Sequence, residues 1–170
     1  MSAIIVCPLA DLDATIAETA PERVLSLQSP PLAPPVLNVP AHVSLSFHDI
    51  VDETWPSPDH VHPSIAHAER IVGFAEAWNE DAPCVVHCRY GVSRSPAAAL
   101  IVMAVRRPTA DETRLARMLR SAAPFATPNR RLIAHADAAL GRSGRLFAAV
   151  EAIGRGTPVS TGRTFRMVLP

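Results

Sequence analysis

The sequence predicts an α/β fold: a single domain over residues 1–170 with a central, mostly parallel sheet of about four to five strands, flanking helices and a helical C-terminal half. Three observations lead there. Short apolar runs alternate with helical patterns in the first half of the chain. Helical patterns alone fill most of the second half. Neither an internal repeat nor a shift in composition divides the two.

Taken in order, Ala3 to Val6 is a short apolar strand, and Asp11 to Ala20 has helical composition that ends at Pro21. Arg23 to Leu27 alternates as a second strand. The proline-rich stretch Ser29 to Pro40 and the cluster from Pro56 to Pro63 read as ordered, extended connections, because each proline fixes φ and biases its predecessor away from helix. His42 to Ile50 alternates with Val43, Leu45 and Phe47 on one face, a strand with His48 and Asp49 at its end. Ile65, Ala68, Val72, Ala75 and Trp78 recur at helical spacing. Asn79 to Pro83 turns the chain, and Cys84 to Cys88 is an apolar strand. Helices are then expected over Pro96 to Arg106, Ala110 to Ser121, Pro128 to Leu140 and Gly144 to Ile153. Thr109 and Thr127 are candidate caps, the latter with Pro128 at the first helical position. The tail from Thr157 suits a short terminal strand or hairpin.

Composition narrows the function classes. With 48% hydrophobic and 19% charged residues the chain is built to bury a core. Its 16 basic residues are all arginine and balance 16 acidic ones, which argues against nucleic acid, inositol polyphosphates and anionic membranes as partners. The N-terminal segment has no basic region ahead of its apolar run, so it does not read as a signal peptide. The apolar run Ala97 to Val105 is far too short to span a bilayer. Three cysteines are too few and too odd for a disulfide framework, and a reducing, cytoplasmic setting is expected.

The chemistry concentrates in His87 to Ser95, HCRYGVSRS. Cys88 and Arg94 are separated by Arg89, Tyr90, Gly91, Val92 and Ser93, between an apolar strand and a helix. Such a loop can wrap a phosphate: backbone N–H groups face inward, a guanidinium grips two oxygens and a thiolate lies below phosphorus. A nucleophilic cysteine must be ionised, and the helix N-terminus together with Arg94 favours the anion. Gly91 permits the sharp turn. Ser95 brings a hydroxyl within reach of Cys88, and His87 is placed to orient the cysteine backbone from behind.

HCRYGVSRSP resembles the signature of the cysteine-dependent protein tyrosine phosphatase superfamily, particularly its compact bacterial dual-specificity-like members. Thr127, Pro128 and Asn129 look like the Pro-Asn helix start found downstream in that branch, and the likeness spans about residues 40 to 140. Tyr90 stands where a small residue or an acid is commoner. The resemblance implies attack by Cys88 to give a phosphocysteine, stabilisation by Arg94 and the amides of residues 89–94, and support of the departing thiolate by Ser95. It implies no metal and no cofactor, and a phosphorylated protein as the partner, with phosphotyrosine ahead of other phosphomonoesters. An aspartate must act as general acid, then base. Asp49 ranks first because it ends its strand; Asp52 fits the count along the chain and lies beside Trp55-Pro56; Asp59 ranks last. Two other readings stay open: a phosphate-binding module that has lost turnover, and a rhodanese-like sulfurtransferase.

Several residues invite chemistry that plainer roles explain better. Cys84 and Cys88 lie roughly 13 Å apart if extended at about 3.3 Å per residue, beyond disulfide reach. Cys7 reads as a small buried hydrophobe rather than a redox partner of Cys88. Asp59, His60, His62 and His67 lack a second ligand cluster and read as solvated, not as a metal site. Arg130, Arg131, Arg142 and Arg145 read as helix-face solvators rather than a frame for an anionic substrate.

Overall fold

Five strands form one sheet in the order β3-β2-β4-β1-β5 in the computed structural model, which describes residues 3–52, 54 and 58–169. The strands are β1 (Ala3–Pro8), β2 (Arg23–Gln28), β3 (Ala41–Ser46), β4 (Cys84–Cys88) and β5 (Phe165–Val168). Four run parallel, and β5 closes the edge antiparallel to β1. The helices are α1 (Leu12–Thr19), α2 (Ile65–Glu76), α3 (Arg94–Arg106), α4 (Glu112–Ala122), α5 (Arg130–Ala139) and α6 (Arg145–Ile153). The α/β class, the mostly parallel sheet and the helical second half are as the sequence predicts.

The strand patterns follow from position in the sheet. β1 and β4 are central and covered on both faces, so AIIVCP and CVVHC are buried at every position without alternation, His87 being the one polar side chain. One face carries Ile4, Val6, Leu25, Leu27, Val86 and Cys88 against the main helical core. The other carries Ile5, Cys7, Val24 and Val85 beneath Leu12 of α1. Leu37 and Val39 from the proline-rich connection also pack there, so that segment is a lid on the sheet as well as a link. α3 lies at the centre of the helical layer, buried from Arg94 through Ala104, which is why its sequence is apolar all round.

Boundaries differ from expectation where side chains decide them. β3 stops at Ser46, so His48 and Asp49 fall in the following loop rather than at the strand end. α2 ends at Glu76, and Trp78 is buried just beyond it with its indole N–H on the Ala82 carbonyl at 2.8 Å. α4 is capped by Asp111, not Thr109: its carboxylate accepts the Arg114 N–H at 2.8 Å. α5 is capped by Asn129, not Thr127, which moves Pro128 outside the helix and puts Arg130 first. The segment from Trp55 to Ser57, with the Trp55-Pro56 pair and the start of the second proline cluster, lies outside the described residues.

Candidate active site

β4 delivers Cys88 to the middle of the sheet's C-terminal edge, in register with Leu27 of β2 and Pro8 of β1. That is where parallel α/β sheets place ligands, in the crevice beyond the strand ends. The chain then turns through Gly91, whose φ of 68° suits glycine. A Cβ there would also meet the Pro8 nitrogen at 2.9 Å, so the loop sits directly on the end of β1. The Leu9 N–H, donating to the Arg89 carbonyl at 3.3 Å, ties the two together.

Cys88 is buried, and its Sγ has two polar neighbours. The Gly91 N–H donates to it at 3.3 Å, and the Ser95 hydroxyl lies 3.1 Å away. Arg94 is 4% exposed. Its Nη1 donates to the Phe47 carbonyl at 2.7 Å and to Ser29 Oγ at 3.0 Å, while its Nε is buried without a partner among the described residues. One edge of the guanidinium is therefore fixed to the scaffold, and a donor remains for a ligand. Ser93 occupies the cap position of α3 but does not cap it with its side chain. Its hydroxyl donates instead to Asp49 Oδ1 at 2.7 Å.

Asn129 Nδ2 reaches the same Asp49 oxygen at 2.7 Å, while Asn129 Oδ1 accepts the Leu132 N–H at 2.9 Å. One side chain thus caps α5 and fixes Asp49. The backbone of this segment also grips the loop, with the Thr127 N–H on the Val92 carbonyl at 2.8 Å and the Asn129 N–H on the Ser93 carbonyl at 3.2 Å. Asp49, Cys88, Tyr90, Val92, Ser93 and Arg94 line one cleft of about 230 Å³. Asp52 and Asp59 do not line it. Asp52 is exposed and accepts the Thr54 N–H and hydroxyl, each at 2.8 Å, which lowers its pKa below the usual carboxylate value. Tyr90 stands 51% exposed at the rim, its hydroxyl accepting from Arg89 Nε at 3.2 Å.

His87 does something other than orient the Cys88 backbone. It points to the opposite side of β4, where its Nε2 lies 2.6 Å from Ser26 Oγ; that oxygen is 2.7 Å from His42 Nε2. Its Nδ1 is buried and, among the described residues, bonds to nothing. A serine hydroxyl has one proton, so the two rings cannot both be its acceptors, and their tautomers are coupled through it. Burial pushes the imidazole down to about 4, with His42 and Arg94 adding to the shift.

The remaining candidates settle into structural positions. Cys84 lies on the same strand as Cys88, and all three cysteines are free thiols. Cys7 is aligned with His87 rather than with Cys88 and packs on the other face of the sheet. His67 is a capping residue, its Nδ1 within 2.8 Å of Ser64 Oγ, and the His60 ring stands edge-on to His48. Arg142 is buried rather than solvating, bonded to Glu112 at 2.9 Å and to the Ala104 carbonyl at 2.8 Å; Arg145 joins the same carboxylate. Arg131 donates to the Pro63 carbonyl at 3.2 Å, and Arg130 pairs with Glu151.

Two cleft residues, Val159 and Ser160, carry no motif that marks them in the sequence. They come from the segment after α6, which the Gly162 N–H ties to the Tyr90 carbonyl at 2.8 Å. A Cβ on Gly162 would lie 2.9 Å from the Gly91 carbonyl oxygen, so a glycine in the tail was the available signal.

A thiol at the base of a tight turn, a guanidinium with an uncommitted donor and a carboxylate on the same cleft are the components for attack on phosphorus with charge stabilisation and proton transfer. Comparison with known proteins bears on the fold and the family. Human DUSP28 is similar in structure, with a TM-score of 0.59 at 20% identity over 82% of this chain and 94% of that one. DUSP15 is similar with a TM-score of 0.61 at 15% identity, over 88% and 90% respectively. Curated protein sequences yield no match. The profile of the protein-tyrosine phosphatase family matches residues 40–127, from the start of β3 through the cysteine loop to the segment that grips it. With that match running over more than half of its length and through the loop that holds Cys88, the chain belongs to the protein-tyrosine phosphatase family.

Proposed function

We propose that the protein hydrolyses phosphomonoesters through a phosphocysteine, with phosphotyrosine in proteins as its first substrate class. The observation that carries this reading is that Asp49 lines the same cleft as Cys88 and Arg94. In the first step the Cys88 thiolate forms a bond to phosphorus as the ester P–O bond breaks. Arg94 and the loop amides stabilise the transferring oxygens, and Asp49 gives its proton to the leaving oxygen. In the second, Asp49 takes a proton from water as the water attacks phosphorus; the S–P bond breaks, phosphate leaves and Cys88 returns to the thiolate. The Ser95 hydroxyl, 3.1 Å from Sγ, supports the departing thiolate. Val92, Val159 and Tyr90 give the cleft an apolar wall suited to an aromatic ring. A nucleophilic cysteine outside any disulfide fits reducing, cytoplasmic surroundings.

Hydrolysis of an aryl phosphate tests the proposal. Turnover by the wild type, lost in Cys88→Ser and in Arg94→Ala, supports it. Tight binding of phosphate analogues by a wild type that never turns over makes the protein a phosphate-binding module instead.

A further inference from the structure

A second cleft of about 280 Å³ opens on the other side of Ser93, the residue that lines both. Val51, Pro128 and Val150 give it apolar walls, and Arg130, Glu151 and Arg155 are its charged groups. These charges do not cancel. Arg130 is paired with Glu151, whereas exposed Arg155 has no bonded partner among the described residues. The cleft therefore presents one uncompensated cation above an apolar floor.

The segment carrying Arg155 is fixed in place. The Gly154 carbonyl accepts from Arg120 Nη2 at 2.8 Å, the Gly156 N–H donates to Thr127 Oγ1 at 3.1 Å, and the Thr157 N–H donates to the Pro124 carbonyl at 3.0 Å. A Cβ on Gly156 would lie 2.4 Å from the Phe125 backbone, so the contact is tight. A few residues on, Val159 and Ser160 wall the cleft that holds Cys88. One anchored segment thus borders both clefts, and it lies outside the part of the chain that the family profile matches. An extended peptide advances about 3.3 Å per residue, so a chain with one side chain in the first cleft lays a near neighbour in the second.

Resting on the phosphatase reading above, we propose that this second cleft is a substrate subsite for an acidic residue flanking the phosphorylated one, with Arg155 as the cation that receives its carboxylate. Val51, Pro128 and Val150 cover the methylenes of that side chain. The preformed backbone leaves only the arginine side chain to be ordered on binding.

The test uses phosphotyrosine peptides in a neutral frame, with Glu or Gln at each of the three positions on either side. Each kcat/KM is divided by the same variant's rate on an aryl phosphate, which has no flanking residues. Wild type should favour Glu over Gln roughly fivefold at one or two positions, as expected for a partly exposed ion pair. Arg155→Ala should bring that ratio to about one, and Arg155→Glu should turn the preference towards a Lys peptide. An unchanged Glu preference in both variants overturns the subsite while the phosphatase reading stands. No hydrolysis of the aryl phosphate by wild type overturns the phosphatase reading itself. A peptide with a second phosphate at the same position that outruns the Glu peptide by more than tenfold overturns the carboxylate assignment.

Discussion

Asp49 is held at a single oxygen. Ser93 and Asn129 both donate to Oδ1, and among the described residues no donor reaches Oδ2, which is therefore the oxygen able to carry and release a proton. Asp49→Asn should lower kcat on an alkyl phosphate by about a hundredfold or more, the usual worth of a positioned acid. Asp52→Asn should change kcat by less than about twofold, since Asp52 bonds only within its own turn. The reverse ranking in steady-state kinetics would make Asp52 the acid. The thiols separate in the same way. Burial pushes Cys7 up to about 12 and raises Cys84 further, so iodoacetate at neutral pH should label Cys88 alone, and Cys88→Ser should take up none. The cysteine, the arginine and the glycine turn were all readable in the sequence, because local spacing dictates them. The aspartate could only be ranked, because its partners Ser93 and Asn129 are brought to it by the fold from far along the chain.

At the scale of elements, the N-terminus of α5 serves as both a helix cap and a latch on the loop. Asn129→Ala should cost roughly 2 kcal/mol, from a lost cap and a lost bond to a charged acceptor. Asn129→Ser keeps a capping hydroxyl but cannot span to Asp49. It should recover about half of that stability in urea unfolding while kcat stays as low as in the alanine variant. Equal recovery of kcat and stability would show that the cap alone matters. Helix existence was legible because periodic apolar residues mark the core-facing side of helices such as α2, while α3 reads as one continuous apolar run. The caps were misread at Thr109 and Thr127 for one reason. Both are good capping residue types, but Asp111 and Asn129, each two residues later, accept the N–H groups, and sequence cannot rank neighbouring candidates of equal chemistry. The end of β3 was misread because alternation continues through Phe47, which is buried without belonging to the strand.

For the whole molecule, the polar chain from His87 through Ser26 to His42 couples the sheet to pH. His87 titrates near 6.5 when exposed and at about 4 in the fold, so the unfolded chain takes up the proton first. Stability is therefore complete above about pH 6.5, falls as pH drops towards 4 and levels off below it, by about 3 kcal/mol from this residue. The lowered values of His42 and His67 act in the same direction. Urea unfolding at a series of pH values should show this slope in wild type and a flatter one in His87→Gln; equal slopes would remove His87 as the cause. Nothing local in the sequence announced the chain, since Ser26, His42 and His87 meet only when β2 pairs with both β3 and β4. The order of helices and strands, by contrast, was legible from end to end.

Phosphoryl transfer onto Cys88, with Asp49 serving both steps, leaves a covalent intermediate that can be weighed. Nitrophenyl phosphate needs little acid help to lose its leaving group, but hydrolysis of the intermediate still needs the base. Asp49→Asn should therefore accumulate the intermediate on this substrate. Acid-quenched protein, digested and weighed by mass spectrometry, should carry one phosphoryl group on the peptide containing Cys88 in Asp49→Asn, and none once Cys88→Ser is added. Steady turnover by Asp49→Asn with no phosphoryl group on Cys88, or with the group on another residue, would rule out transfer through Cys88 with Asp49 as the base.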